Sequence, residues 1–600
     1  MRAMTMKNAI TQIARILVPI VLVFSLAAAT HAAVPGITGG STAGASTFNL
    51  TAQDGYLNQP DGNAVYSWGY GCNGAPAGFA PAVVPFTTIS TCPSMQVPGP
   101  TLIVHENDVV TINLINQLPT AAGNTSILFP GFNVCTGTLT AGVCSGTTGV
   151  TGLLTQEAAP GGSVTYTFVA SAPGTHAYYS GTQGDLQIEM GLYGAIIVLP
   201  ASVPGNCTNA NSYHAKNLAA EAHWGEADYR LSQAAYDHPA SCYDREYLFQ
   251  WAEMDHRIHR QAEAQVQARI GCAAGSVGCS LDVQTEPYHP SYFLINGRSM
   301  PDLMDPNYAS EYPHQPYNGN PHIHPGELLL LRTIGQGRWQ HPFHEHANHV
   351  RILARDGNLV LSPAPAAGCA TPGGGCVSYT SGLTGDPGVT APGLAGILQF
   401  NTDTTPGEAF DGIFYFTGRG LNWDPYGHHP GADVGTNGLT DPLAHAGCTA
   451  DANGYNTGDP TAVNFFEWCQ DHNKPVQVNP FGDVAGGGPA TLPDSNILTN
   501  GQWYGGTPYL GPDASLRASM PACATGQPGG VIPGSNPPVS ANCTTLNPAN
   551  TQANPANERG WAFMWHSHNE REITTNNVFP GGMLMMLLVD SREFPIDESL

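Results

Sequence analysis

Lysine occurs three times in 600 residues, and Asp, Glu, Lys and Arg together supply 11% of the chain. A typical soluble domain carries about 25%. The charge that is present is lopsided, with 20 basic residues against 45 acidic ones and a formal net charge of −25. Such a surface repels nucleic-acid phosphates and anionic lipid and attracts cations, which argues against a nucleic-acid partner. Long apolar runs are missing too. The one candidate, residues 16–29, follows Arg2, Lys7 and Arg15 and leads into Thr30-His31-Ala32. It is too short for a membrane span and has the layout of a secretory signal peptide over 1–32. The expectation is export to the periplasm, cell envelope or exterior, with no membrane span. Without the signal's three cations, 17 basic residues oppose 45 acidic ones, a charge of −28.

No Cys-x-x-Cys pair occurs, which speaks against thiolate zinc sites and thioredoxin-like chemistry. All 14 cysteines follow the signal segment. They fall into neighbouring couples: Cys72 with Cys92, Cys135 with Cys144, Cys207 with Cys242, Cys272 with Cys279, Cys369 with Cys376, Cys448 with Cys469, and Cys523 with Cys543. An even count in an exported chain points to disulfides, although sequence alone leaves the connectivity open. Gly and Pro together number 121, which fits an all-β chain with long loops.

What the chain does have is a repeated order of strand-like segments. The first half carries Pro-Gly at 98–99 before two alternating runs to Leu114, then 161–168, 174–179 and a Gly-led apolar run at 191–198. The second half carries 292–297, 324–332, 406–416, 561–565 and a Gly-led run at 581–589. Short strands separated by turn signals indicate β-sandwiches, here over 47–200 and 285–592. Between them, 205–284 reads as a partly helical connection, with helices expected over 218–236 and 254–270. His256 and His259 would share one helical face, read as solvated surface. Gly-, Pro- and Asn-rich insertions at about 362–395, 417–500 and 505–560 each hold one cysteine couple.

Two histidine segments carry the chemistry: His341-Pro-Phe-His344-Glu-His346 and Trp565-His566-Ser567-His568. Side chains alternate along a strand, so His344 and His346 share a face, as do His566 and His568. Two such strands side by side would gather imidazoles for a nitrogen-preferring metal such as copper or zinc. The candidate ligands are His341, His344, His346, His566 and His568. His322 and His324, beside Pro325-Gly326, read as surface residues.

These segments, with 97–114, 174–198 and 341–357, resemble the multicopper oxidases of the cupredoxin superfamily. The resemblance implies tandem Greek-key cupredoxin domains, a blue copper that takes electrons from a substrate, and a three-copper cluster that reduces dioxygen. It covers most of both sandwiches, but ligand positions depart from it. His341, His344 and His346 fall on the family's His-Pro-x-His-x-His motif, and His566 and His568 on the outer positions of His-Cys-His. Ser567 stands where the family has its cysteine, and Glu572 where a further histidine follows. A serine hydroxyl stays protonated and is hard, whereas blue copper depends on a soft thiolate. Met583 follows after a longer gap than the family's axial ligand. In the first domain, Leu128, Pro130, Tyr179 and Gly181 occupy ligand positions.

The sequence thus describes a copper-binding protein with a reduced histidine site. One reading is a copper-dependent oxidoreductase that uses dioxygen and a small-molecule or metal-ion reductant, possible as a homo-oligomer. The others are a non-catalytic copper-sequestering envelope protein and a copper-free cupredoxin scaffold.

Overall fold

The computed structural model describes residues 34–40, 44–83, 92–146, 154–210, 212–380, 386, 388–419, 449–458, 465–468, 506–510, 559–590, 592, 595–596 and 598. The segment read as a signal peptide and the couples Cys448/Cys469 and Cys523/Cys543 lie outside them.

Alternation builds the first sandwich. In Val109–Asn116 every second residue is buried, and this strand pairs in parallel with Ala45–Asn58 and antiparallel with Ser163–Val169. Ala64–Cys72 completes that sheet. The facing sheet runs Gly174–Tyr179, Tyr193–Leu199, Leu102–His105, Gly36–Thr38 and Gly78–Ala80. Between them lies one apolar core that includes Phe48, Trp68, Leu102, Ile112, Phe168 and Ile196.

The second sandwich repeats the plan. One sheet orders Tyr292–Ile295, Arg245–Met254, Leu328–Gly335, Ala409–Tyr415, Val350–Arg355 and Asn358–Leu359. The other orders His322–Ile323, Leu584–Asp590, Arg559–Ser567, His341–Glu345 and Asn401–Thr404. Phe249, Trp251, Leu331, Phe343, Trp565 and Met585 fill the space between them. Both sandwiches mix parallel and antiparallel pairs, and the chain is all-β with tandem sandwiches, as its composition and resemblance predict.

Part of the connecting stretch differs from its expected form. The helices are Tyr213–Trp224 and His256–Ala268, and Arg245–Met254 between them is a strand of the second sandwich. All ten of its residues are buried, because both faces of this strand are covered, so no alternation marks it. The helix ends follow local chemistry. Ser212 accepts a bond from the Ala215 amide at the first helix's start, and Gly225, at φ 94°, closes its end. Asp255 caps the second helix by accepting from the Arg257 amide.

Five disulfides join nearest neighbours: Cys72–Cys92, Cys135–Cys144, Cys207–Cys242, Cys272–Cys279 and Cys369–Cys376. Among the described residues no helix is long and apolar enough to cross a membrane.

Candidate metal centre

Strand register assembles the histidines. His341–Glu345 lies antiparallel to Arg559–Ser567 with His344 opposite His566 and Phe343 opposite Ser567. Opposed side chains share a face, so His344 and His566 emerge on one side while Phe343 and Ser567 turn to the other. His346 curls in at the strand's end, its carbonyl accepting from Trp565 Nε1 at 3.1 Å. His344, His346 and His566 are buried, and their nearest ring nitrogens all lie within 4.8 Å of one another. Nε2 of His346 and Nε2 of His566 are 3.2 Å apart. The exposed His568 stacks edge-on against His344, with ring centroids 4.7 Å apart.

The electrostatics favour ligands. Burial, reinforced by the neighbouring imidazoles of His346, His566 and His568, lowers the pKa of His344 to about 3. Burial likewise lowers His566 to about 4, with His346 and His568 adding to the effect. Both rings are therefore neutral at ordinary pH and keep a lone pair. His566 Nδ1 donates to the Ser567 carbonyl at 2.6 Å, which leaves Nε2 as its acceptor nitrogen facing the cluster. Three convergent buried imidazoles with an exposed fourth at the rim form a nitrogen donor set that suits a transition-metal ion.

His341 is not brought to this cluster. It faces the sandwich interior, where Nδ1 donates to Glu572 at 2.8 Å and Nε2 donates to Glu253 at 2.9 Å. Carboxylates only accept, so both nitrogens are protonated and neither is left for a metal. Burial opposes that charge, yet the hydrogen bonds and charges of Glu253 and Glu572 push the pKa up to about 9. Ser567, fully buried, donates to Glu572 at 2.5 Å. Glu253 also accepts from the Tyr288 hydroxyl and from the amides of Arg338 and Trp339. The positions of the family's cysteine and of the histidine that follows it thus meet His341 as a hydrogen-bonded brace.

Sequence reasoning missed Glu253, which arrives on another strand 88 residues away. It had a signal for His341: the step of three from 341 to 344 changes faces on a strand. Two other expectations are corrected. His322 and His324 are buried, not surface residues; His322 pairs with Asp590 and His324 with Glu226, partners remote in sequence. His259 is fully buried, not solvated, with Nδ1 on the Tyr66 carbonyl at 2.6 Å. In the first sandwich, Leu128 and Tyr179 are joined by backbone bonds, and a Cβ on Gly181 would meet Leu128 Cγ at 2.8 Å. Those positions pack against one another.

Residues 90–202 match the family model of a multicopper oxidase domain. The chain is similar to the multicopper oxidase MCE of Talaromyces pinophilus, 37% identical over 108 residues, which are 18% of this chain and 15% of that one. It is also similar to the copper-containing nitrite reductase of Pseudomonas chlororaphis, 34% identical over 107 residues, 18% of this chain and 25% of that one. Each alignment spans a quarter or less of the relative's length. Among solved structures, a blue copper oxidase from Nitrosomonas europaea aligns over 90% of this chain and 85% of its own, at 13% identity and a TM-score of 0.37. A copper nitrite reductase from the same organism aligns over 62% and 84%, at 18% identity and a TM-score of 0.33. The segment matched by the family model lies within the later part of the first sandwich, while the histidine cluster lies in the second. The likeness to multicopper oxidases thus rests on a domain over residues 90–202.

Proposed function

We propose that the second sandwich binds copper through His344, His346 and His566, with His568 at the rim, and that the protein is a copper-dependent oxidoreductase with a reduced histidine site. The observation that carries this reading is the convergence of three buried imidazoles on one point. The names of the similar proteins, a multicopper oxidase and a copper-containing nitrite reductase, favour copper over other metals. Copper held by His344, His346 and His566 would supply one-electron redox chemistry between a reductant and dioxygen. The residues' share is to present neutral nitrogens, keep the cluster dry on its inner side and leave it accessible beside His568. A blue centre does not fit: Ser567 offers no thiolate, and its hydroxyl is committed to Glu572. Export fits the five disulfides, which persist in oxidising compartments.

The test is copper loading followed by desalting and metal analysis. The protein should retain about one or two ions, as four imidazoles allow. His344→Ala with His566→Ala should abolish retention. Oxygen uptake with phenolic or metal-ion reductants then distinguishes an enzyme from a sequestering protein. Bound copper without uptake favours sequestration, and no retained copper overturns the metal reading.

A further inference from the structure

A cavity of about 350 Å³ opens between the helix Tyr213–Trp224, the ends of Leu328–Gly335 and Ala409–Tyr415, and the described part of the 417–500 insertion. That size lies within the range of small-molecule sites. The polypeptide takes specific measures to build it. Gly326, at φ 81°, lets Phe466 approach so closely that a Cβ there would meet Phe466 Cβ at 2.2 Å. Phe466 meets Tyr213 edge-on at 5.0 Å. Asp451 Oδ1 accepts from the amides of Asn453 and Tyr455, which fixes the turn that carries both side chains to the cavity.

The lining has two kinds of surface. Tyr213 and Tyr415 are 38% and 44% exposed and stand in the wall beside Tyr455 and Phe466. Left bare, such rings waste apolar surface, so they are suited to a ring-shaped guest. Polar groups face the same space. Buried Asp244 holds His214 Nδ1 at 2.7 Å and also accepts from Asn217 and the Leu328 amide. His214 Nε2 has no partner among the described residues, and neither has the side-chain amide of Asn453. The carboxylates of the wall already have partners: Asp244 pairs with His214, and Asp451 Oδ1 holds the amides of Asn453 and Tyr455. With these carboxylates committed inside the wall, the uncharged polar groups are left to meet a guest. Aromatic faces attract the weakly positive C–H faces of a sugar, while imidazole and amide groups serve its hydroxyls.

We propose that this cavity is a binding site for a neutral sugar ring, with the aromatic wall as stacking platform and His214 and Asn453 as hydroxyl readers. The site is separate from the histidine cluster and stands whether or not copper binds there. Calorimetric titration and saturation-transfer NMR of the full chain test it. The probes are the methyl glycosides of glucose, galactose, mannose, xylose and N-acetylglucosamine, with methyl glucuronide, phenol and tetramethylammonium for comparison. At least one neutral glycoside should bind. Asn453→Ala and Tyr455→Ala should each weaken it about tenfold, the loss of one good contact. Thermal unfolding of each variant verifies that it is folded. The proposal is overturned if no neutral glycoside binds, if only phenol, glucuronide or the ammonium ion binds, or if affinity survives both substitutions.

Discussion

Ser567 sits between two histidines of the cluster yet turns away from both, and that inversion explains the residue-scale chemistry. Its hydroxyl, Glu572, His341 and Glu253 form a chain in which each buried charge has a partner. Removing the central imidazole leaves two buried carboxylates without their cation, a loss of about 3–5 kcal/mol. His341→Ala should therefore lower stability by that amount in urea unfolding, and should leave copper retention in place. The pH dependence has a definite sign. An unfolded histidine titrates near about 6.5, whereas folded His341 holds its proton up to about 9. Its stabilisation is complete below the unfolded value and is lost as pH rises through about 9. The loss amounts to about 3 kcal/mol and should vanish from the pH profile of His341→Ala. At this scale the clustering of the histidines was legible, because strand parity groups 344 with 346 and 566 with 568. The same parity separates 341, but motif matching alone does not weigh it. Glu253 and the partners of His322 and His324 were not legible, since nothing local announces a contact across the fold.

Elements were read best where one rule governs them. Alternating strands such as Val109–Asn116 follow from pattern, and the structure joins five of the neighbouring cysteine couples whose connectivity the sequence left open. The strand Arg245–Met254 escaped because burial on both faces erases alternation. The disulfides differ in what they restrain. Cys207–Cys242 closes 35 residues and holds the start of the helix Tyr213–Trp224 near the second sandwich, whereas Cys272–Cys279 closes 7. By loop-closure entropy their removal should cost about 4 and about 2 kcal/mol respectively. Paired serine substitutions at each site, compared by denaturant midpoint at constant slope, measure the difference. Equal losses would mean that native contacts, and not chain entropy, set the contribution of these bridges.

The two sandwiches are joined by buried apolar clusters, among them Ile197 with Ile334 and Val97 with Leu294, and by buried polar contacts that add direction to that packing. Asp411, on the second sandwich, accepts from the amide and hydroxyl of Thr175 on the first at 3.2 and 2.6 Å, and from the Tyr236 hydroxyl. Arg332 donates to Thr175 at 3.2 Å and to Glu246 at 2.8 Å, and Gln336 donates to the Gly194 carbonyl at 3.0 Å. Unsatisfied buried donors are costly, so opening this boundary exposes several at once and couples the two cores. Calorimetry of the native chain should show one transition. Asp411→Ala removes the shared acceptor and should split it into two. Copper then becomes a reporter of position. Its proposed ligands lie on neighbouring strands of one sheet, so saturating copper stabilises that sandwich by about 4 kcal/mol at a thousandfold excess over Kd. In Asp411→Ala, copper should raise one of the two transitions and leave the other in place, and a chelator should reverse the shift. If both move together, or if the variant still unfolds in a single step, the coupling lies elsewhere than in the Asp411 network.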